Sequence, residues 1–207
     1  MKSVILENID KYYTSKIIEF GATPKGVDWN SLESQELRFS ILSEIIEKKD
    51  DFSILDFGCG FGSMYDFYLK KDFSNFNYLG YDISEQMILE AKNRHSIKNN
   101  LNWFTKLDNK LQVDYVIASG IFNVKQDESD KKWLDYILET LSLINKMSKK
   151  GFSFNVLTKY SDKEYKKDYL YYADPLFLFD FCKKNFSKYV TLKHDYQLYE
   201  FSIIVKK

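Results

Sequence analysis

Residues Asp56-Phe57-Gly58-Cys59-Gly60-Phe61-Gly62-Ser63 set an acid and closely spaced glycines directly behind an apolar run, Ile54-Leu55. Glycines there let the backbone turn tightly into a helix start and let a ligand come close to the chain. About twenty residues on, a second apolar run, Tyr78-Leu79-Gly80-Tyr81, ends in Asp82. A carboxylate at the tip of such a second strand can accept hydrogen bonds from ribose hydroxyls. The pair specifies a nucleoside-containing cofactor without saying which one.

The elements that position these groups follow from hydrophobic periodicity. Apolar residues at 37, 41, 42, 45 and 46 predict a helix over 34–48, with Ser34 as a cap. Strands are expected over 52–57, 76–81, 101–104, 113–118 and 151–157. Between them fall helices over 63–71, from the Ser84 cap to about 93 with Met87, Ile88 and Ala91 inward, and over 130–147. A helix over 175–185 opens on Pro175, and strands over 189–193 and 198–206 close the chain. Alternation of this kind implies an α/β protein with a parallel sheet and helices on both faces. The last two strands lie too close together for a crossover helix, so they form an antiparallel hairpin.

Composition narrows the classes. With 30 basic and 30 acidic residues in a 207-residue chain, nothing points to nucleic acid as a partner. Cys59 and Cys182 cannot build a disulfide framework and fit a reducing, cytoplasmic setting. The opening Met1-Lys2-Ser3-Val4-Ile5-Leu6-Glu7 meets an acid too early for a signal peptide, and no apolar run approaches the roughly 20 residues of a membrane span. No His, Cys and acid cluster has metal spacing, so no metal is expected. Oligomeric state is not legible.

Ligands of open α/β sheets bind outside the carboxyl ends of the strands. That rule selects three loops. Residues 119–126 carry Phe122 and Asn123, an amide that can donate and accept. Residues 158–174 form a long connection with Tyr171, Tyr172 and several lysines. The turn between the last two strands holds His194 and Asp195, and Tyr199 opens the last strand beside it. His194 is the candidate general base, Asp195 or Asp174 its orienting partner, and Asn123 a third catalytic candidate. Phe122, Asn123, Tyr171, Tyr172 and Tyr199 are candidate acceptor contacts.

The segments Asp56-Phe57-Gly58-Cys59-Gly60-Phe61-Gly62 and Gly80-Tyr81-Asp82-Ile83-Ser84 resemble the first and second motifs of the class I S-adenosylmethionine (SAM) methyltransferases. The likeness spans roughly residues 50–207. It implies a Rossmann-like, seven-stranded, mostly parallel sheet with an antiparallel C-terminal hairpin strand. It implies one methyltransferase domain, 1–207, with an N-terminal helical extension (1–49) over the cofactor and a catalytic core (50–207). Within the extension, Gly21, Pro24, Gly26 and Trp29 suggest an ordered loop over 12–38.

By the same resemblance, Asp56, Gly58, Cys59 and Gly60 hold the methionine part of SAM. Asp82 takes the ribose diol, and Ile83 and Met87 pack on adenine, with Asp108 as a candidate for the adenine amine. Ser119 and Gly120 sit beneath the sulfonium. Tyr13, Trp29 and Gln35 line the pocket, and Arg38 meets the SAM carboxylate as a fork of donors.

The segments 26–31, 118–123 and 171–175 are similar to small bacterial methyltransferases of surface-polysaccharide gene clusters. This implies O-methylation of a small molecule or sugar-linked group, phosphoryl or phosphoramidate among them, in capsule or surface-glycan synthesis, with S-adenosylhomocysteine (SAH) as product. N-methylation of a small metabolite, an inactive SAM-binding module and a nicotinamide oxidoreductase are the rival readings. Nucleic-acid amine methyltransferases carry an Asn- or Asp-Pro-Pro-aromatic motif after the fourth strand. This chain has Ala118-Ser119-Gly120-Ile121 there.

Overall fold

A computed structural model describes residues 4–27, 31–95, 98–108 and 110–207. Helix α1 (Val4–Phe20) opens the chain, where an ordered loop was expected from residue 12 onward. The signal for it is Ile5, Ile9, Tyr13 and Ile17, an apolar stripe at helical spacing. Gly21, in the left-handed region at φ 63°, ends it by donating its amide to the Ile17 carbonyl. Helix α2 (Leu32–Leu42) is capped by Ser31, whose side chain accepts the Ser34 amide, so the cap lies three residues earlier than Ser34. It ends in a tight turn at Ser43–Ile45 instead of continuing to residue 48.

The remaining elements alternate: β1 (Ser53–Phe57), α3 (Ser63–Lys70), β2 (Asn77–Tyr81), α4 (Glu85–Arg94), β3 (Leu101–Phe104), β4 (Val113–Ala118), α5 (Asp130–Met147), β5 (Ser148–Leu157), α6 (Pro175–Asn185), β6 (Tyr189–Lys193) and β7 (Glu200–Lys206). They build one seven-stranded sheet in the order β3-β2-β1-β4-β5-β7-β6. Strand β7 runs antiparallel to both of its neighbours, and the other pairs are parallel. The fold is therefore the Rossmann-like arrangement expected.

Each sheet face has its own core. On one, Trp133, Ile137, Leu141 and Ile144 of α5 and Leu178 of α6 pack on Val116, Phe152, Phe154 and Phe201. On the other, Phe39 and Leu42 of α2, Met64 and Tyr68 of α3 and Ile88 of α4 cover Ile54, Tyr78, Tyr115 and Ile204. Asp114 pins the entry ends of the strands: it accepts the Ser53 amide at 2.9 Å and pairs with Lys150 at 3.1 Å. From β1 the chain proceeds to β2 on one side and later fills β4 on the other. The carboxyl ends of β1 and β4 thus flank the topological switch point, where a crevice opens.

Candidate active site

The glycine turn forms because β1 ends on backbone that only glycine adopts freely. Gly58, Gly60 and Gly62 have φ of 85°, 53° and 88°. The amides of Gly58 and Cys59 both donate to the Tyr81 carbonyl, which locks the turn to the end of β2. A Cβ on Gly58 would stand 2.3 Å from Ile121 Cγ2, so the turn also packs against the loop after β4.

Two acids flank this turn, Asp56 in β1 and Asp82 just past β2. Asp82 accepts the Gly60 amide on Oδ2 and the Ser84 amide on Oδ1, each at 2.9 Å. Carboxylate oxygens carry further lone pairs, so both remain able to accept from a ligand diol. Burial pushes its carboxyl up to about 6, against the pull of those backbone donors. Asp56 is 2% exposed and accepts a short hydrogen bond from the Tyr78 phenol. Burial raises its carboxyl to about 7, with Tyr78 opposing and the neighbouring Asp82 adding to the rise.

These groups line a cleft enclosing about 1100 Å³ of empty space, its open mouth included. Its floor is Asp56, Gly58, Cys59, Gly60, Asp82 and Ile83, with Ser119, Gly120 and Ile121 from the loop after β4. Leu6, Ile9 and Tyr13 of α1 close it from above, and Tyr136, Thr140 and Leu143 of α5 form a further wall. Helix α1 is held across the cleft at several points. Thr14 and Ser84 hydroxyls meet at 2.8 Å, Ile17 packs with Phe61 and Met87, and Gln126 donates to the Asn8 carbonyl.

The comparisons with known proteins bear on this site. Residues 55–143, which hold the glycine turn and Asp82, match the family model described as a methyltransferase domain. A Mycobacterium tuberculosis protein, Rv1506c, named methyltransferase in provisional wording, is 44% identical over 163 residues, covering 79% of this chain and 98% of its own. The chain belongs to the class I SAM methyltransferases.

Solved methyltransferases share the fold at low sequence identity. Magnesium protoporphyrin IX methyltransferase from Synechocystis PCC 6803 with bound SAM superposes over 100% of both chains, with TM-score 0.68 and 14% identity. Human N-acetylserotonin methyltransferase in complex with SAM covers 99% of this chain and 59% of its own, with TM-score 0.64 and 13% identity.

The residues present in the methyltransferase cleft fit SAM. Ser119 lines the cleft, and its Oγ is buried without a hydrogen-bond partner among the described residues, an unsatisfied group of the kind a ligand can pair. Gln35 is 3% exposed and lines the cleft, and its side-chain carboxamide makes no hydrogen bond among the described residues. Two acids suit a cofactor that carries a sulfonium and an ammonium.

Of the residues expected at the cofactor, Tyr13, Gln35, Asp56, Gly58, Cys59, Gly60, Asp82, Ile83, Met87, Ser119 and Gly120 all line the cleft. Trp29 lies outside the described residues. Arg38 is turned elsewhere: its Nε donates to Glu200 Oε2 at 2.8 Å and its Nη1 to the Ser34 carbonyl, and it is not in the cleft wall. A buried guanidinium needs a buried counter-charge, and Glu200 supplies it. Asp108 is exposed and folds back to accept the Lys110 amide.

The acceptor and catalytic candidates are not brought to the cleft. Asn123 Oδ1 accepts the Leu157 amide and its carbonyl accepts the Tyr171 amide, so it braces two loops. Phe122 is fully buried and gives its carbonyl to Trp133 Nε1. Tyr171 is buried in the core on the α5 and α6 side. Tyr172 accepts the Lys167 amide and Tyr199 donates to Asp162 at 2.6 Å, both away from the cleft wall.

His194 and Asp195 are exposed just past β6. His194 rests between the Tyr160 and Phe201 rings, each 6.0 Å away. It lies at the correct end of the sheet but just beyond its outermost strand, three strands from β4. At ~4.8 Å per strand that is about 14 Å away. Sequence reading missed Leu6, Ile9, Phe39, Leu107, Tyr136, Thr140 and Leu143 of the cleft wall. The α1 stripe and the 136, 140, 143 spacing on α5 were the available signals.

Proposed function

We propose that this methyltransferase O-methylates a small acceptor whose oxygen is already anionic at neutral pH: a carboxylate, a phosphoryl oxygen or an acidic phenol. The observation that carries the reading is the ionisable content of the cleft wall. Among the described residues it holds Asp56, Asp82, Cys59 and the tyrosines Tyr13, Tyr81 and Tyr136, and no His, Lys, Arg or Glu. Asp82 is tied to backbone amides and Asp56 lies behind the turn on Tyr78, while burial raises the Cys59 thiol well above its ordinary range and the Tyr136 phenol to about 12. None is placed as a general base for a neutral hydroxyl.

Bound SAM supplies an electrophilic methyl: the acceptor lone pair forms the new C–O bond as the C–S bond breaks and its electrons pass to sulfur, giving SAH. The chain's contribution is binding, alignment and exclusion of water. Asp82 is assigned to the ribose, the amides and carboxylate of the 56–60 turn to the methionine part, and Ile83 and Met87 to adenine. Leu6, Ile9 and Tyr13 shield the reacting centre. Bringing an anion to a cation in a dry, apolar cleft strengthens their attraction. A phosphorylated or carboxylated sugar of a surface glycan belongs to this acceptor class.

The test is SAH release from SAM with a panel of carboxylic acids, phosphate monoesters and phenols beside aliphatic alcohols and amines. Turnover confined to the acidic oxygens supports the reading. Turnover confined to amines or neutral alcohols overturns it.

A further inference from the structure

The turn after β4 that lines the cleft is held from behind by side chains that are not themselves in the cleft wall. Gly120, at φ 74°, donates its amide to Asn155 Oδ1 at 2.8 Å. Asn155, on β5, donates its Nδ2 to Glu200 Oε1 at 3.0 Å. Glu200, the first residue of β7, accepts Arg38 Nε on its other oxygen at 2.8 Å. Asn155 and Glu200 are both fully buried, and Arg38 is 7% exposed. The connection runs through α2, β7 and β5 to the loop after β4, elements far apart in sequence.

We propose that Arg38, Glu200 and Asn155 are positioning residues that preset two walls of the cofactor site. This rests on the reading of the cleft as the SAM site. In a trans peptide the C=O and N–H point in opposite directions. Anchoring the Gly120 amide to Asn155 therefore turns the Ser119 carbonyl away from β5, on the side where Ser119 and Gly120 meet the cleft. The other end of the relay acts through α2. Gln35 stands one turn before Arg38 on the same helix face, and it lines the cleft. The Arg38–Glu200 pair thus fixes Gln35 relative to the turn that Asn155 fixes. A buried ion pair contributes little net stability over apolar packing of the same volume, but it enforces one geometry where every member is hydrogen-bonded.

The test uses the full chain and SAH binding by titration calorimetry, with melting temperature recorded in parallel. Asn155→Leu and Glu200→Leu should each weaken SAH at least about tenfold, and Glu200→Gln, which keeps an acceptor for Asn155, should lose less than Glu200→Leu. Ser153→Ala removes another fully buried β5 hydrogen bond, to the Leu42 carbonyl. It should lower the melting temperature without changing SAH affinity.

The proposal is overturned if folded Asn155→Leu binds SAH within twofold of wild type, or if Ser153→Ala loses as much affinity as Asn155→Leu. If the leucine variants do not fold, hydrogen exchange at the Gly120 amide of wild type without cofactor decides. Strong protection supports a preset wall, and exchange at the rate of a free loop overturns it. Failure of wild type to bind SAH removes the SAM-site reading itself, a separate outcome.

Discussion

The Asp82 carboxylate accepts the Gly60 amide at 2.9 Å across 22 residues of sequence. One side chain therefore both braces the glycine turn and presents free lone pairs to the cleft. Asp82→Ala should abolish measurable SAH binding, whereas Asp82→Asn, which keeps an acceptor for Gly60, should weaken it about tenfold or more. Each lost hydrogen bond to a charged group is worth about 1.5–3 kcal/mol. Titration calorimetry on the two variants checks the order; equal affinity in Asp82→Ala and wild type would falsify the ribose assignment.

Burial holds the Asp56 carboxyl at about 7 and Asp82 at about 6, both above the ordinary carboxylate range. A cationic cofactor favours their ionised forms, so SAM affinity should rise with pH from 5.5 to 7.5, by about tenfold. Asp56→Asn should flatten most of that slope in calorimetric titrations.

The same shift has the opposite sign for cofactor-free stability. Between about pH 4 and 7 the folded chain holds a proton on Asp56 that the unfolded chain has released. The stabilisation is present at the acid end and lost as pH rises through 7. His95 acts in reverse, because burial lowers its pKa and the unfolded chain takes up the proton first as pH falls. The Asp56 contribution is therefore read as the difference in melting temperature between wild type and Asp56→Asn. That difference should change by several degrees between pH 5.5 and 7.5, with wild type gaining relative stability at acid pH.

Gly58→Ala should cost stability and cofactor binding together. Its φ of 85° disfavours any side chain, and the new Cβ would stand 2.3 Å from Ile121. A loss of at least ~1–3 kcal/mol is expected from the strained backbone alone. Chemical denaturation and SAH titration of the same preparation measure both effects.

His194→Ala should change turnover less than twofold, because His194 is exposed just past the far edge strand and is absent from the cleft wall. A hundredfold loss at saturating SAM would restore it as a general base and require the 158–174 loop and the β6–β7 turn to move onto the cleft.

The glycine turn, Asp82 and the succession of strands and helices were legible in the chain because each depends on neighbours in sequence: apolar runs, turn residues between them, and a cap at Ser84. Local pattern dictates where a strand ends, and the right-handed crossover rule then dictates which acids share an edge. Arg38, Asn123 and Tyr199 were not legible, because their partners lie far along the chain in positions that only packing brings close. Arg38 meets Glu200 across 162 residues, and Asn123 meets Leu157 across 34. Which of two equally plausible partners a long polar side chain takes is decided by burial, since an unpaired group costs most where water is excluded. Sequence alone thus determined the class of cofactor pocket and its floor. The tertiary structure decided that α1 and α5 complete the walls and that His194 stands apart from them. It also turned Arg38, Glu200 and Asn155 into a support behind the site, because sheet order and helix packing, not chain proximity, set those distances.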